Sequence, residues 1–324
     1  MNNITNEQIK VYSKKILLLK IVLLLILIVI DLILKDAIKK SFYEKNRTNP
    51  KLAYYYIDLS PYEESINLEE GGKLEIYKNN CSNETNEIIT KNSGIIRKSE
   101  IVFLVIPGGA YKNIGQVESL PIAKKFFYMG YSSSILRYSV APACYPSFYN
   151  QGLTSIHILS QKFKKIIIIG FSAGGHLAGM LGTSSRDKLH NVIGMILCYP
   201  VISFEHNVHK LSRTNFFGKK IKDTPENRKI FSINNRVSND TLPTFIWTLK
   251  NDKTVPYENT LDMINSLNKY GIRHEYKIYP NGVHGMALAD EFDIRYGNPN
   301  YKNDKIAKWI YLAINFIEEI LKES

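Results

Sequence analysis

Residues Ile166–Gly179 read IIIIGFSAGGHLAG, and the fold is legible from this stretch outward. Ile166, Ile167, Ile168 and Ile169 form an apolar run with no polar alternation, the pattern of a strand buried on both faces of a parallel sheet. Gly170-Phe171-Ser172-Ala173-Gly174 fits G-x-S-x-G, and His176, Leu177, Ala178 and Met180 continue as a helix. Strand, tight turn and helix are the context of a nucleophile elbow. A serine on so sharp a turn sits in strained backbone space, and a Cβ at either flanking glycine would strike the neighbouring strand or helix. The helix that follows points its N-terminus at the serine and favours negative charge there. Taken alone, the pentapeptide equally fits a Gly-rich turn with a surface serine, so the rest of the chain has to decide.

Ile101–Ile106, IVFLVI, is a second continuous apolar run and predicts a second buried strand. It ends in Pro107-Gly108-Gly109-Ala110-Tyr111, where two glycines let backbone N–H groups turn into a cavity. This is the layout expected of an oxyanion hole, although P-G-G also makes a plain strand-ending turn. Further on, PTFIWTL (243–249) predicts a strand, and Asn251-Asp252 follows its end. HEYKIY (274–279) predicts another, followed by Pro280-Asn281-Gly282-Val283-His284-Gly285. Helices are expected over 118–129, after Tyr145-Pro146 through Ile156 and Leu159, over 257–270 and over 304–322. Strands are also expected at 54–59, 73–77, 88–89, 131–138 and 192–198.

Strands alternating with helices predict an α/β fold, a mostly parallel doubly wound sheet with helices on both faces. Ser172, Asp252 and His284 then follow one another in chain order, each just beyond the C-terminal end of a strand, where such sheets place ligands. In that reading His284 takes the serine proton and Asp252 holds the imidazole tautomer. Backbone N–H groups of Gly109, Ala110 and Ala173 receive the oxyanion.

IPGGAY, GFSAGGHLAG, NDKTVP and NGVHG together resemble the α/β-hydrolase fold family in its esterase/lipase branch, nearest its acetyl-xylan-esterase-like and BD-FAE-like carbohydrate esterases. The resemblance covers about residues 70–320. It implies Ser172 as nucleophile, Asp252 as acid and His284 as base, with Pro107–Ala110 corresponding to the family's glycine-rich oxyanion turn. Ala110 stands at that turn's last position, Asn251 where an aspartate is frequent, and Gln151-Gly152 where the helix after Tyr145-Pro146 often carries an aspartate. The implied activity is a serine carboxylesterase that removes small, acetyl-like groups from a carbohydrate or related ester. A peptidase of the same fold and a catalytically silent binding protein remain the alternatives.

The 324 residues carry a net charge of +12, of which residues 1–47 supply nine Lys/Arg against four Asp/Glu. The rest is spread without a basic block or aromatic interleaving, which argues against a nucleic-acid partner. ILLLKIVLLLILIVIDLIL (16–34) is long enough, at about 1.5 Å per residue, to cross a bilayer as one helix. A membrane anchor within a tail and basic stalk (1–47) is therefore expected before a catalytic domain at 48–324. A cleaved signal peptide is the competing reading. The short N-terminal tail suggests a single-pass protein with its domain outside the cytoplasm.

Cys81, Cys144 and Cys198 are too few and too scattered for a disulfide framework, and neither a metal nor a cofactor site is read. Residues 201–240 read as irregular, polar and basic, a candidate lid. His176 reads as a structural hydrogen-bonder, His157 as packed or on the surface, and His190, His206, His209 and His274 as surface. Asp290, Glu291 and Asp293 read as a solvated acidic loop.

Overall fold

A computed structural model describes residues 64–80, 86–91, 94–290 and 301–323, all within the unit Leu59–Ser324. Its strands are β1 (Glu64–Asn67), β2 (Lys73–Tyr77), β3 (Glu87–Ile89), β4 (Ile95–Arg97), β5 (Ile101–Ile106), β6 (Ser132–Arg137), β7 (Lys165–Phe171), β8 (Val192–Cys198), β9 (Thr244–Leu249) and β10 (His274–Tyr279). Its helices are α1 (Leu120–Tyr128), α2 (Ser147–Ser160), α3 (Ser172–Gly182), α4 (Lys210–Phe217), α5 (Pro225–Ile230), α6 (Glu258–Lys269) and α7 (Trp309–Glu323).

Eight strands form one sheet in the order β1-β2-β6-β5-β7-β8-β9-β10. From β6 to β10 every pairing is parallel. β1 and β2 add an antiparallel edge. β3 and β4 pair separately as a two-stranded ribbon. The isoleucine run sits mid-sheet between β5 and β8, and all four side chains are inaccessible to solvent. The chain leaves β5 for β6 on one side and later returns to β7 on the other. That reversal opens a crevice at the C-terminal ends of β5 and β7.

Alternation along β5 sorts the core into two layers. Val102, Leu104 and Ile106 face a cluster that includes Phe148, Ile156 and Leu159 of α2 and Leu177 and Leu181 of α3. On the opposite face Phe103 stacks on Phe126 of α1, with ring centroids 3.8 Å apart. There too Trp309 of α7 stacks on Trp247 of β9 at 5.4 Å. Each fully buried side chain of this size contributes about 1.5–3 kcal/mol. The last strand, β10, is exposed along Glu275, Tyr276 and Lys277. Its polar sequence is that of a sheet edge.

Residues 201–240 depart from the irregular segment expected, for they hold α4, α5 and a 3-10 turn at Ile233–Arg236. The local signal for α5 is Thr224, whose hydroxyl accepts the Asn227 N–H, followed by Pro225 in the first turn. The expected 304–322 helix is a short 3-10 turn, Ile306–Lys308, running into α7. Among the described residues no helix is long and apolar enough to cross a membrane. Residues 16–34 and the strand expected at 54–59 lie outside the described residues.

Candidate active site

The elbow forms because nothing larger than hydrogen fits its flanks. A Cβ on Gly170 would stand 2.3 Å from the Gly174 carbonyl oxygen and 2.6 Å from Ala178 Cβ. A Cβ on Gly174 would stand 2.2 Å from the Ile106 carbonyl oxygen and 2.3 Å from that of Pro107. The close approach of α3 to β5 lifts Ser172 to the start of its helix at φ +50°. A non-glycine residue in this region costs about 1–3 kcal/mol, which the surrounding packing has to offset.

Ser172, His284 and Asp252 come together there, although 112 residues of chain separate the serine from the histidine and 32 separate the histidine from the aspartate. His284 Nε2 lies 2.8 Å from Ser172 Oγ. His284 Nδ1 lies 2.6 Å from Asp252 Oδ2. The other oxygen of Asp252 accepts the N–H groups of Thr254 at 2.8 Å and Val255 at 3.0 Å. A carboxylate so held takes its remaining donor from imidazole Nδ1, which leaves Nε2 as the acceptor for the serine hydroxyl. Asn251 Oδ1 accepts the Gly282 N–H at 3.0 Å and ties the loop carrying His284 to the loop carrying the acid. The Asp252 side chain is wholly buried, whereas that of His284 is 16% exposed. Of this pair the imidazole is the member that reaches solvent.

The loop after β5 has its carbonyls turned outward and held. Gly108 O accepts from Gly115 N at 3.0 Å, and Gly109 O accepts from Lys112 N at 2.9 Å and Asn113 N at 3.1 Å. Ala110 O accepts from Asn215 Nδ2 at 2.8 Å. In a trans peptide the N–H points opposite to the C=O. The Gly109 and Ala110 N–H groups therefore point away from those partners. Gly109 (φ +118°), Ala110 (φ +56°) and Tyr111 (φ +56°) all occupy the left-handed half of backbone space. Ala173 lies in the first turn of α3, where an amide has no intrahelical acceptor. Ser172, His284, Gly109 and Ala110 line one cleft of about 370 Å³ with Lys112, Asn113, Glu118, His209, Leu211 and Thr254. A larger cavity, about 600 Å³, lies at the opposite ends of the strands and touches none of these groups.

Comparison with known proteins bears on this geometry. Residues 157–317 match the model of the prolyl oligopeptidase family, Peptidase_S9. The chain is 31% identical to Endo-1,4-beta-xylanase B of Butyrivibrio fibrisolvens over 211 residues, 58% of this chain and 33% of that protein. It is 36% identical to the acetylxylan esterase of Xylanibacter ruminicola over 128 residues, 39% of this chain and 26% of that protein. It thus spans about a third or less of the length of these curated relatives. An acetyl ester-xyloside bifunctional hydrolase from Caldicellulosiruptor lactoaceticus superposes with a TM-score of 0.66 at 26% identity, over 82% of this chain and 99% of that one. The chain belongs to the α/β-hydrolase fold family.

Other residues of this α/β-hydrolase either match or depart from their sequence reading. His176, the expected structural hydrogen-bonder, is fully buried in α3. Its Nε2 lies 2.8 Å from the Phe231 carbonyl and its Nδ1 lies 2.9 Å from the Tyr111 hydroxyl. Nε2 is therefore the protonated nitrogen, and Nδ1 accepts from Tyr111. Burial pushes its pKa down to about 3 and keeps the ring neutral. His209, expected at the surface, instead lines the cleft, with Nδ1 2.8 Å from Ser212 Oγ. Burial lowers its pKa as well. Asp290, expected in a solvated loop, is buried, with a carboxylate oxygen 3.6 Å from Lys125 Nζ. Gln151 is buried, with Oε1 accepting from Ser139 N at 2.8 Å and Nε2 donating to Glu69 O at 2.7 Å. His157 is exposed on α2.

Sequence reading missed Glu118 and Asn215. Each is polar in a stretch without a motif, and each meets its partner only after folding. Glu118 is buried at the cleft. Burial raises its pKa, and hydrogen bonds from Tyr199 and Gly108 work in the opposite direction. Among the described residues no group of three or more His, Cys, Asp or Glu side chains is placed to hold a metal ion.

Proposed function

We propose that this α/β-hydrolase is a serine carboxylesterase that removes small acyl groups, acetyl foremost, from a carbohydrate or related ester. The observation that carries the reading is the Ser172–His284–Asp252 relay opening on a small cleft beside Gly109 and Ala110. Ser172 Oγ attacks the ester carbonyl carbon as its proton passes to His284 Nε2. Asp252 stabilises the imidazolium, and the N–H groups of Gly109, Ala110 and Ala173 hold the negative oxygen. Collapse expels the alcohol with the proton from His284 and leaves an acyl-serine, which water cleaves by the same steps in reverse. The cleft favours a short acyl group on a polar alcohol. Lys112, Asn113, His209 and Thr254 line it, and among the described residues Leu211 is its one large apolar side chain. The names of the xylan-active relatives support a carbohydrate ester.

Hydrolysis of p-nitrophenyl acetate by the full chain tests the chemistry. Ser172→Ala lowers kcat by roughly 10⁴- to 10⁶-fold. Asp252→Asn lowers it by roughly 10²- to 10⁴-fold through the wrong imidazole tautomer. Near wild-type rates in Ser172→Ala would remove the assignment. A series of longer acyl esters and acetylated xylo-oligosaccharides then reads substrate preference. The match to the prolyl oligopeptidase family supports a second reading, a peptidase. It predicts turnover of peptide p-nitroanilides in place of esters.

Residues 16–34 fit a membrane anchor that leaves the catalytic unit outside the cytoplasm. Resistance of the full chain to carbonate extraction, together with its cleavage by protease added to intact cells, tests both statements. Recovery in the wash, or protection until lysis, refutes the first or the second respectively.

A further inference from the structure

Glu118 is a buried carboxylate at the edge of the cleft that the relay itself does not employ. Its Oε2 accepts the Gly108 N–H at 2.8 Å. Its Oε1 accepts the Tyr199 hydroxyl at 2.7 Å. The Tyr199 oxygen in turn accepts the Ala287 N–H at 3.0 Å, so the single phenolic proton goes to Glu118. Both carboxyl oxygens thus receive donors, the pattern of an ionised group. The two ends of this chain of bonds lie in the two loops that the proposed chemistry uses, the oxyanion loop and the His284 loop. Gly108 precedes the peptide whose N–H is Gly109, and Ala287 lies three residues beyond His284. The Tyr199 ring also stands edge-on to the His284 imidazole, with centroids 5.0 Å apart.

A buried anion needs compensation, and two neutral donors supply part of it. Tyr138 and Cys198, the other titratable groups that interact with Glu118, are buried and held neutral. His284 is the one group interacting with Glu118 that becomes a cation during the proposed reaction. Among the described residues, the titratable or charged groups that interact with His284 or share its cleft are Asp252 from the loop after β9, Tyr199 after the end of β8, His209 ahead of α4, Glu118 ahead of α1 and Lys112 in the loop after β5. Of these, Asp252 and Glu118 bring negative charge.

We propose that Glu118 is a positioning residue: it joins the oxyanion loop to the His284 loop through Tyr199, and its charge assists Asp252 in steadying protonated His284. The proposal rests on the serine-hydrolase reading above. If it holds, Gly108 and Ala287 stay in one frame while the proton moves. Loss of the charge then weakens the imidazolium without touching the serine.

The test measures kcat, KM and the pH profile of kcat/KM for p-nitrophenyl acetate with the full chain and with Glu118→Gln, Tyr199→Phe and Ser172→Ala. Glu118→Gln is expected to lower kcat roughly 10- to 100-fold with KM nearly unchanged, since a displaced oxyanion donor acts on the transition state. Its acid limb moves to lower pH, because removal of an anion disfavours the charged imidazole. Tyr199→Phe is expected to lower kcat as well, since it cuts the link to Ala287. Wild-type kcat in Glu118→Gln, or a lowered kcat with an unmoved acid limb, overturns the proposal and leaves a purely structural carboxylate. If Glu118→Gln does not fold, Tyr199→Phe decides, and wild-type kcat there overturns the link between the loops. Ser172→Ala separates the two levels: an active Ser172→Ala sinks the reading beneath the proposal, whereas an inactive one isolates a failure to Glu118.

Discussion

The elbow and the 201–240 segment border the same cleft, and they are built in opposite ways. In the elbow, atoms a few residues apart hold one another. Gly170 meets Gly174 and Ala178, and Gly174 meets the carbonyls of Ile106 and Pro107 at the end of the adjacent strand β5. The 201–240 segment is held by contacts far apart in the chain. Asn215 reaches Ala110 across 105 residues, and the Phe231 carbonyl meets His176 across 55. Its core is aromatic: Phe216 packs against Tyr111, Tyr145, Phe148, His176, Phe204 and Phe231. Tight sterics leave the elbow one conformation, whereas the segment takes its shape from a pocket that exists only once the rest has folded.

The comparison breaks most visibly at Gly174. In Gly174→Ala the new methyl meets two backbone oxygens of the β5 end, so α3 and the oxyanion loop have to separate. A misplacement of about 1 Å costs roughly 100-fold in rate. We therefore expect at least that loss in kcat, with a lower melting temperature. Wild-type kcat in this variant would show that sterics do not set the elbow.

Phe216→Ala probes the other region. Loss of a fully buried ring costs about 3–5 kcal/mol. Urea unfolding of the variant should show that decrease. A change below about 1 kcal/mol would mean the aromatic cluster does not organise the segment.

The smallest expected effect lies at His176, where the two regions touch. Its imidazole is held neutral in the fold, with a pKa of about 3 against an ordinary value of 6.5. Between those values the unfolded chain binds the extra proton, so stability rises with pH across the window. The contribution is complete above about pH 6.5 and is lost as pH falls toward 3, with a slope of at most about 1.4 kcal/mol per pH unit. The melting temperature of the wild type should exceed that of His176→Gln at pH 7, and the gap should narrow by pH 4. A gap that stays constant would deny that this ring titrates with unfolding.

Much of the frame was legible because strand and helix periods are local. IVFLVI and IIIIGF could only be buried strands, and β8 and β10 begin and end where their apolar and alternating runs do. The site was legible in part. Ser172, Asp252 and His284 each stand in a Gly- or Pro-marked turn after a strand, a signal carried by a few neighbouring residues. Glu118 and Asn215 carry no such signal, since a lone acid and a lone amide look the same at a surface as at a buried junction. His209 was misplaced for the same reason: no motif marks it, and the packing of α4 brings it to the cleft.

By itself, then, the sequence determined the parallel sheet, the strand–turn–helix of the elbow and the identities of the residues at the strand ends. These follow from hydrophobic period and from backbone sterics, which act over a handful of residues. Only the tertiary structure decided that Ser172 and Asp252 would both lie within 3 Å of the His284 ring nitrogens, that the Gly109 and Ala110 amides would turn away from their held carbonyls, and that Glu118 would join two loops. The reason is physical. A hydrogen bond constrains two groups to within a few tenths of an ångström. Whether groups dozens of residues apart meet that tolerance depends on how the layers between them pack.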